Sequence, residues 1–130
     1  MEDRQSIVDQ VVSIVNKNKD KADYIDVRLG EGSGTVIALR KKEVEDVSKP
    51  SSFGGSVRVL HKGGWGFVSF SRMDQFEPAV TRAIEFAKEV GSDTSQLAKV
   101  PVVVDMVRES ESQLDFLKVP LAQKIKVLKD

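Results

Sequence analysis

Apolar residues recur along this chain with two periods, and the switches between them mark out its elements. Over residues 6–19, Ile7, Val11 and Val15, with Val8 and Val12 beside them, follow the i, i+4 spacing of an amphipathic helix. Ser6 is placed to cap that helix, with Asp9 three residues on. From Ala22 to Gly30 the period becomes two: Ile25, Val27 and Leu29 face one way, Tyr24, Asp26 and Arg28 the other, as in a half-buried strand. Glu31-Gly32-Ser33-Gly34 reads as a turn, and Thr35 to Lys41 as a second strand. Lys41-Lys42 is a polar turn without glycine, and Glu43 to Ser48 is a third strand polar enough for a sheet edge. Lys49 to Phe53, around Pro50, reads as a loop.

The strongest signal is Gly54 to Phe70, which predicts a β-hairpin. Val57, Val59 and His61 alternate with Ser56, Arg58 and Leu60; Lys62-Gly63-Gly64 supplies turn chemistry; Trp65 to Phe70 returns as the second strand. Bulky groups stand on both faces of that returning strand, so both are expected to be covered. Asp74 to Val90 predicts a second helix, with Phe76, Val80, Ala83, Ile84 and Ala87 on its apolar side, Pro78 in the first turn and Gly91 at the end. Short strands joined by turns favour antiparallel pairing. The expected fold is α+β: a largely antiparallel five-stranded sheet with two amphipathic helices on one face, followed by a linker and the start of a further helix. Residues 1–91 form the expected N-terminal domain and 92–130 the linker and beginning of the next.

In that second part, Ser92 to Lys99 is a linker, Val100 to Val107 an extended segment interrupted by Pro101, and Arg108 to Asp115 polar. Val119-Pro120-Leu121 opens a third helix with Leu121, Ile125 and Leu128 on one face. It reaches Asp130 with that face unfinished and with an acid at its C-terminal end, against the macrodipole. The expectation is a chain that continues into a further, truncated domain.

Composition narrows the function classes. Twenty basic residues balance twenty acidic ones, which argues against direct nucleic-acid binding through phosphate contacts. There is no cysteine, so disulfides and thiolate metal sites are excluded. The polar N-terminus lacks the apolar core of a secretory signal, and no apolar run has the length of a membrane span; the expectation is a cytoplasmic protein without membrane contact.

No catalytic constellation emerges. His61 is the sole histidine and has no cysteine or second histidine to share a metal. Gly30, Gly32 and Gly34 complete neither a dinucleotide fingerprint nor a phosphate loop, and all three read as turn glycines. Glu43 with Glu45, and Asp23 near Asp26, are carboxylate pairs that read as solvated strand residues. Trp65, Phe67 and Phe70 beside Arg58 and Lys62 resemble a stacking platform for single strands, but packing or an interface explains them more simply at zero net charge. Surplus apolar surface and an exposed edge suit docking to another domain or subunit, or addition of a peptide strand. Arg58, Trp65 and Phe67 are the candidate contacts with substrate or partner; no catalytic or metal residue is assigned.

The ordered set Ala22-Asp23-Tyr24-Ile25-Asp26-Val27-Arg28, Leu39-Arg40, Val44-Glu45-Asp46-Val47, Gly55-Ser56-Val57-Arg58-Val59-Leu60 and Gly64-Trp65-Gly66-Phe67-Val68-Ser69 resembles the N-terminal domain of the TldD/PmbA proteins. Residues 79–87 and Val119 to Ile125 extend the likeness, while Lys42 replaces a common turn glycine. These proteins are described as modulators of DNA gyrase and as zinc metallopeptidases. The resemblance implies a noncatalytic N-terminal domain of a TldD-like peptidase that cleaves unfolded peptides, helping to form the substrate cleft and a homo- or heterodimer with a related subunit. It also implies zinc in a C-terminal domain, held by an H-E-x-x-x-H helix and a cysteine, none of which occurs in this sequence. The alternative is a free-standing peptide- or protein-binding module that uses an exposed sheet edge.

Overall fold

The computed structural model describes residues 3–91, 95–101 and 113–130. Most of the expected extended segment Val100–Val107, and parts of the linker and of the polar stretch after it, lie outside the described residues. In chain order the elements are α1 (Arg4–Asn18), β1 (Tyr24–Ser33), β2 (Val36–Arg40), β3 (Glu43–Ser48), β4 (Ser51–His61), β5 (Gly64–Phe70), α2 (Phe76–Val90) and α3 (Leu121–Lys129). Short 3-10 turns, Lys19–Lys21 and Met73–Gln75, follow α1 and precede α2. None of the described helices is long and apolar enough to cross a membrane.

The α+β class and the antiparallel pairing are as expected, but the five strands form two sheets. One has the order β1-β4-β5 and the other is the β2-β3 ribbon. β1 runs antiparallel to β4: Asp23 N–H donates to the Leu60 carbonyl at one end, and Gly32 lies beside Ser52 at the other. The reason is burial. Ile25 and Val27 on β1, Val57 and Val59 on β4 and Val68 on β5 share the face that the helices cover. Pairing β1 with β4 unites those apolar rows, whereas β3 is exposed along its length and has no such row to offer.

The chain divides into two compact units, Met1–Gly32 with Ser52–Ala98 and Ser33–Ser51 with Lys99–Asp130. In the first, Val57, Val59, Phe70, Phe76, Ala79, Val80, Ala83, Ile84 and Ala87 form the core. All five residues expected on the apolar side of α2 are in it. α2 lies directly on β5 because two glycines leave room: a Cβ at Gly66 would overlap the Ala83 carbonyl oxygen and stand 2.8 Å from the Ala87 nitrogen, and one at Gly64 would meet the Ala87 carbonyl. α1 adds Val11, Ile14 and Val15 to the core's margin. Val8 and Val12 are 47% and 51% exposed, so the stripe runs 7, 11, 14, 15 and not through the other two valines. Ser6 lies inside α1, which starts from Asp3 without a side-chain cap; Asp9 instead accepts a hydrogen bond from Gln5. Buried Asn18 is satisfied, donating to the Ile14 carbonyl and accepting from Lys21.

Several boundaries move. β1 continues through Gly30 and Gly32, so these are strand glycines and not turn glycines. β4 begins at Ser51, reducing the expected loop to Lys49-Pro50. Gly91 ends α2 with a negative φ, not the left-handed cap.

In the second unit, β2 and β3 pair through Lys41 and Lys42, whose φ angles of 49° and 65° define a I′-type turn built without glycine. A bulge between Ala38 and Leu39 leaves Glu45 unpaired in the ladder, where it forms an ion pair with Arg40 at 3.1 Å. Gly34 N–H donates to the Pro50 carbonyl at 2.9 Å and closes the ribbon's base. α3 starts at Leu121 after an N-cap at Pro120, where the third helix was expected to open, with Leu121 and Ile125 half-buried and Leu128 53% exposed.

Candidate functional site

The face of the β1-β4-β5 sheet opposite the helices carries the first unit's cluster of aromatic and charged side chains. Its composition follows from register. Val57 and Val59 point into the core, so Arg58 and Leu60 point away; β5 places Phe67 opposite Arg58 and Trp65 opposite Leu60. Alternation along β1 sends Tyr24, Asp26 and Arg28 to the same side as Arg58.

Asp26 is the hub. Its Oδ2 accepts from Arg58 Nε at 2.9 Å, from an Arg58 terminal nitrogen and from the Tyr24 hydroxyl at 3.1 Å. The hydrogen bond and charge of Asp26 hold the Arg58 guanidinium above its ordinary pKa. That guanidinium lies 5.1 Å from the Trp65 ring centroid, over its π face. Tyr24 meets Trp65 edge-on, with centroids 6.3 Å apart and planes at 79°. Phe67 completes the row and is 61% exposed.

The structure therefore brings Arg58, Trp65 and Phe67 onto one face. It adds Tyr24 and Asp26, which sequence reasoning had not assigned to a site. Their alternation put them on one strand face, but only the pairing of β1 with β4 sets Asp26 beside Arg58, across more than thirty intervening positions. The carboxylate pair Asp23–Asp26 is dissolved: Asp23 Oδ2 accepts the Lys62 N–H at 2.7 Å and caps the β4-β5 turn.

The Asp26 carboxylate is occupied as an anchor for Arg58, and among the described residues no base–nucleophile pair adjoins it. His61 stands across from Gly64 on the other face, with Nδ1 out of solvent and without a hydrogen-bond partner. Among the described residues no group of three or more His, Cys, Asp or Glu side chains gathers to hold a metal ion. The zinc implied by the resemblance has no fitting ligand set among them.

The first unit is thus a small two-layer α+β domain whose uncovered sheet face carries an aromatic and charged cluster. Residues 25–90 match the family model described as PmbA/TldA metallopeptidase domain 1, and the chain belongs to the PmbA/TldD family. It is 36% identical over 111 residues to a metalloprotease of Synechocystis, covering 85% of this chain and 24% of that protein. A metalloprotease of Methanocaldococcus jannaschii is 33% identical over 76 residues, covering 57% of this chain and 17% of that protein. The crystal structure of TldE from Thermococcus kodakarensis superposes with a TM-score of 0.61 at 11% identity, over 79% of this chain and 24% of that one, a likeness of fold. The chain spans about a quarter of the length of the Synechocystis relative.

Proposed function

We propose that this chain is the N-terminal, noncatalytic domain of a TldD-like zinc metallopeptidase that cleaves unfolded peptides. In this reading residues 1–91 form the domain and 92–130 lead into the next one. The Arg58–Trp65–Phe67 face contributes to the substrate cleft or to the contact with a homo- or heterodimeric partner. The setting is the cytoplasm, and direct binding to nucleic acid or membrane has no part in it. The observation that carries the reading is the match of residues 25–90 to domain 1 of a metallopeptidase family, with relatives named metalloproteases. The ordered Tyr24–Asp26–Arg58–Trp65 cluster supports a recognition role, because a preset side-chain array loses little conformational entropy on binding.

The test is the whole protein. Reading the source locus past the codon for Asp130 should give a frame that runs on and contains H-E-x-x-x-H, and the purified product should hold zinc and cleave an unstructured peptide. A frame lacking that motif, or a product without metal and cleavage, overturns the proposal and leaves the peptide-binding module as the reading.

A further inference from the structure

The sheet has two outer strands, β1 and β5, and they differ in how their edges are protected. Natural edge strands are blunted by charge, proline or a bulge. β1 carries Asp26, Arg28 and Glu31, and the β2-β3 ribbon carries charges and a bulge. β5, Gly64–Phe70, has no charged residue and no proline, and its register with β4 is unbroken. Among the described residues its outer edge makes no backbone hydrogen bond.

α2 supplies a wall beside that edge. Lys17 on α1 pairs with Glu77 at 3.8 Å, which places α1 along the Glu77 flank of α2. Arg82, Phe86 and Val90 fall on the other flank by helical spacing. α2 sits over Gly64 and Gly66, and Arg82 on that flank lines a pocket together with Val68 and Phe70 of β5. On the same flank Phe86 is 39% and Val90 62% exposed. At the Phe70 end, β5 and the start of α2 border an open pocket of about 370 Å³ lined by Val68, Phe70, Arg72, Pro78 and Arg82, with Asp74. Arg72 is spent on Asp74, whereas Arg82 has no carboxylate within ion-pair distance among the described residues and lies over Phe86. The groove thus offers unpaired backbone groups, an apolar wall and one cation left over.

We propose that the groove between the open edge of β5 and the outer flank of α2 takes an extended polypeptide segment as an added strand. Its alternate apolar side chains lie against Phe86 and Val90, and a carboxylate meets Arg82. The choice of a peptide occupant rests on the peptide-handling role proposed above; the groove itself rests on the edge and the flank.

The test uses the 130-residue chain and a blocked hexapeptide of alternating valine and threonine ending in glutamate, followed by NMR. The peptide should shift the β5 amides, the Phe86 ring and the Val90 methyls. N-methylating every second amide should abolish binding on one edge of the peptide and spare it on the other. Arg82→Glu should weaken binding at least about tenfold, and a lysine-ending peptide should recover it on that variant. The proposal is overturned by no binding at millimolar peptide, by indifference to N-methylation, or by shifts centred on Tyr24, Arg58 and Trp65. It is also overturned if the β5 amides are protected without peptide and sedimentation shows a dimer, which makes a second copy the occupant. Cleavage by the whole protein without edge binding would sink the groove alone; edge binding without zinc or cleavage would sink the peptidase reading alone.

Discussion

At Gly66 the missing side chain decides whether α2 can sit on the sheet. A methyl group there runs into the Ala83 carbonyl and the Ala87 nitrogen, backbone atoms that cannot swing aside. Gly66→Ala should cost about 3 kcal/mol or more, at the upper end of overpacking, read as a fall in the urea midpoint. Gly30→Ala is the control: its nearest neighbour would be 4.0 Å away, and the midpoint should hardly move. Lys41 and Lys42 present the reverse case, side chains held at φ values that suit glycine and asparagine. Replacing them with Asn-Gly should stabilise the ribbon by about 1 kcal/mol, seen as slower hydrogen exchange of the β2 and β3 amides. Arg72 grips both Asp74 oxygens at 3.0 Å and holds that carboxyl below its ordinary value. A depressed folded pKa stabilises above the unfolded value, and the benefit disappears as pH falls through the folded one. Arg72→Gln should therefore raise the Asp74 titration midpoint, measured by carboxyl NMR; an unmoved midpoint would refute the pairing.

At the scale of elements, the period of the apolar pattern predicted most of what formed. Helices α1 and α2, the β2-β3 ribbon and the β4-β5 hairpin all stand where the 3.6 and 2 periods placed them. Periodicity states which residues share a face. It does not state which strands become neighbours, since that depends on surfaces far apart in sequence. The division of the five strands into two sheets was therefore not legible, nor was the Asp26–Arg58 contact that follows from β1 lying beside β4. Arg58, Trp65 and Phe67 were legible as a group because they belong to one hairpin, whose register the turn fixes. The glycines of β1 misled because strand and turn glycines look alike until the partner strand is known.

For the whole molecule, the Tyr24–Asp26–Arg58–Trp65 face makes a separable claim. Trp65→Ala removes the surface under the Arg58 cation and beside the Tyr24 ring while leaving the core face of β5 untouched. Under the proposed function, the substitution in the whole protein should weaken dimerisation or peptide cleavage, measured by sedimentation and by turnover of an unstructured peptide. Unchanged behaviour in both would count against the assignment of this face.

The ribbon's closed base carries a kinetic consequence. β1 and β4 are partners, yet the chain between them leaves at Gly34 and returns at Pro50. The sheet's central pairing must therefore wait for a loop closure that the ribbon lengthens. Replacing residues 34–50 by a two-residue Asn-Gly turn converts the sheet to a simple three-stranded meander of lower contact order. About three halvings of an open loop are worth roughly 2 kcal/mol, an upper bound because a ribbon formed first already holds Gly34 beside Pro50, so refolding should quicken by up to about an order of magnitude. Trp65, the sole tryptophan, stands in this sheet and reports that rate directly by stopped-flow fluorescence. The β2-β3 ribbon thereby sets the tempo of a fold whose core it does not enter.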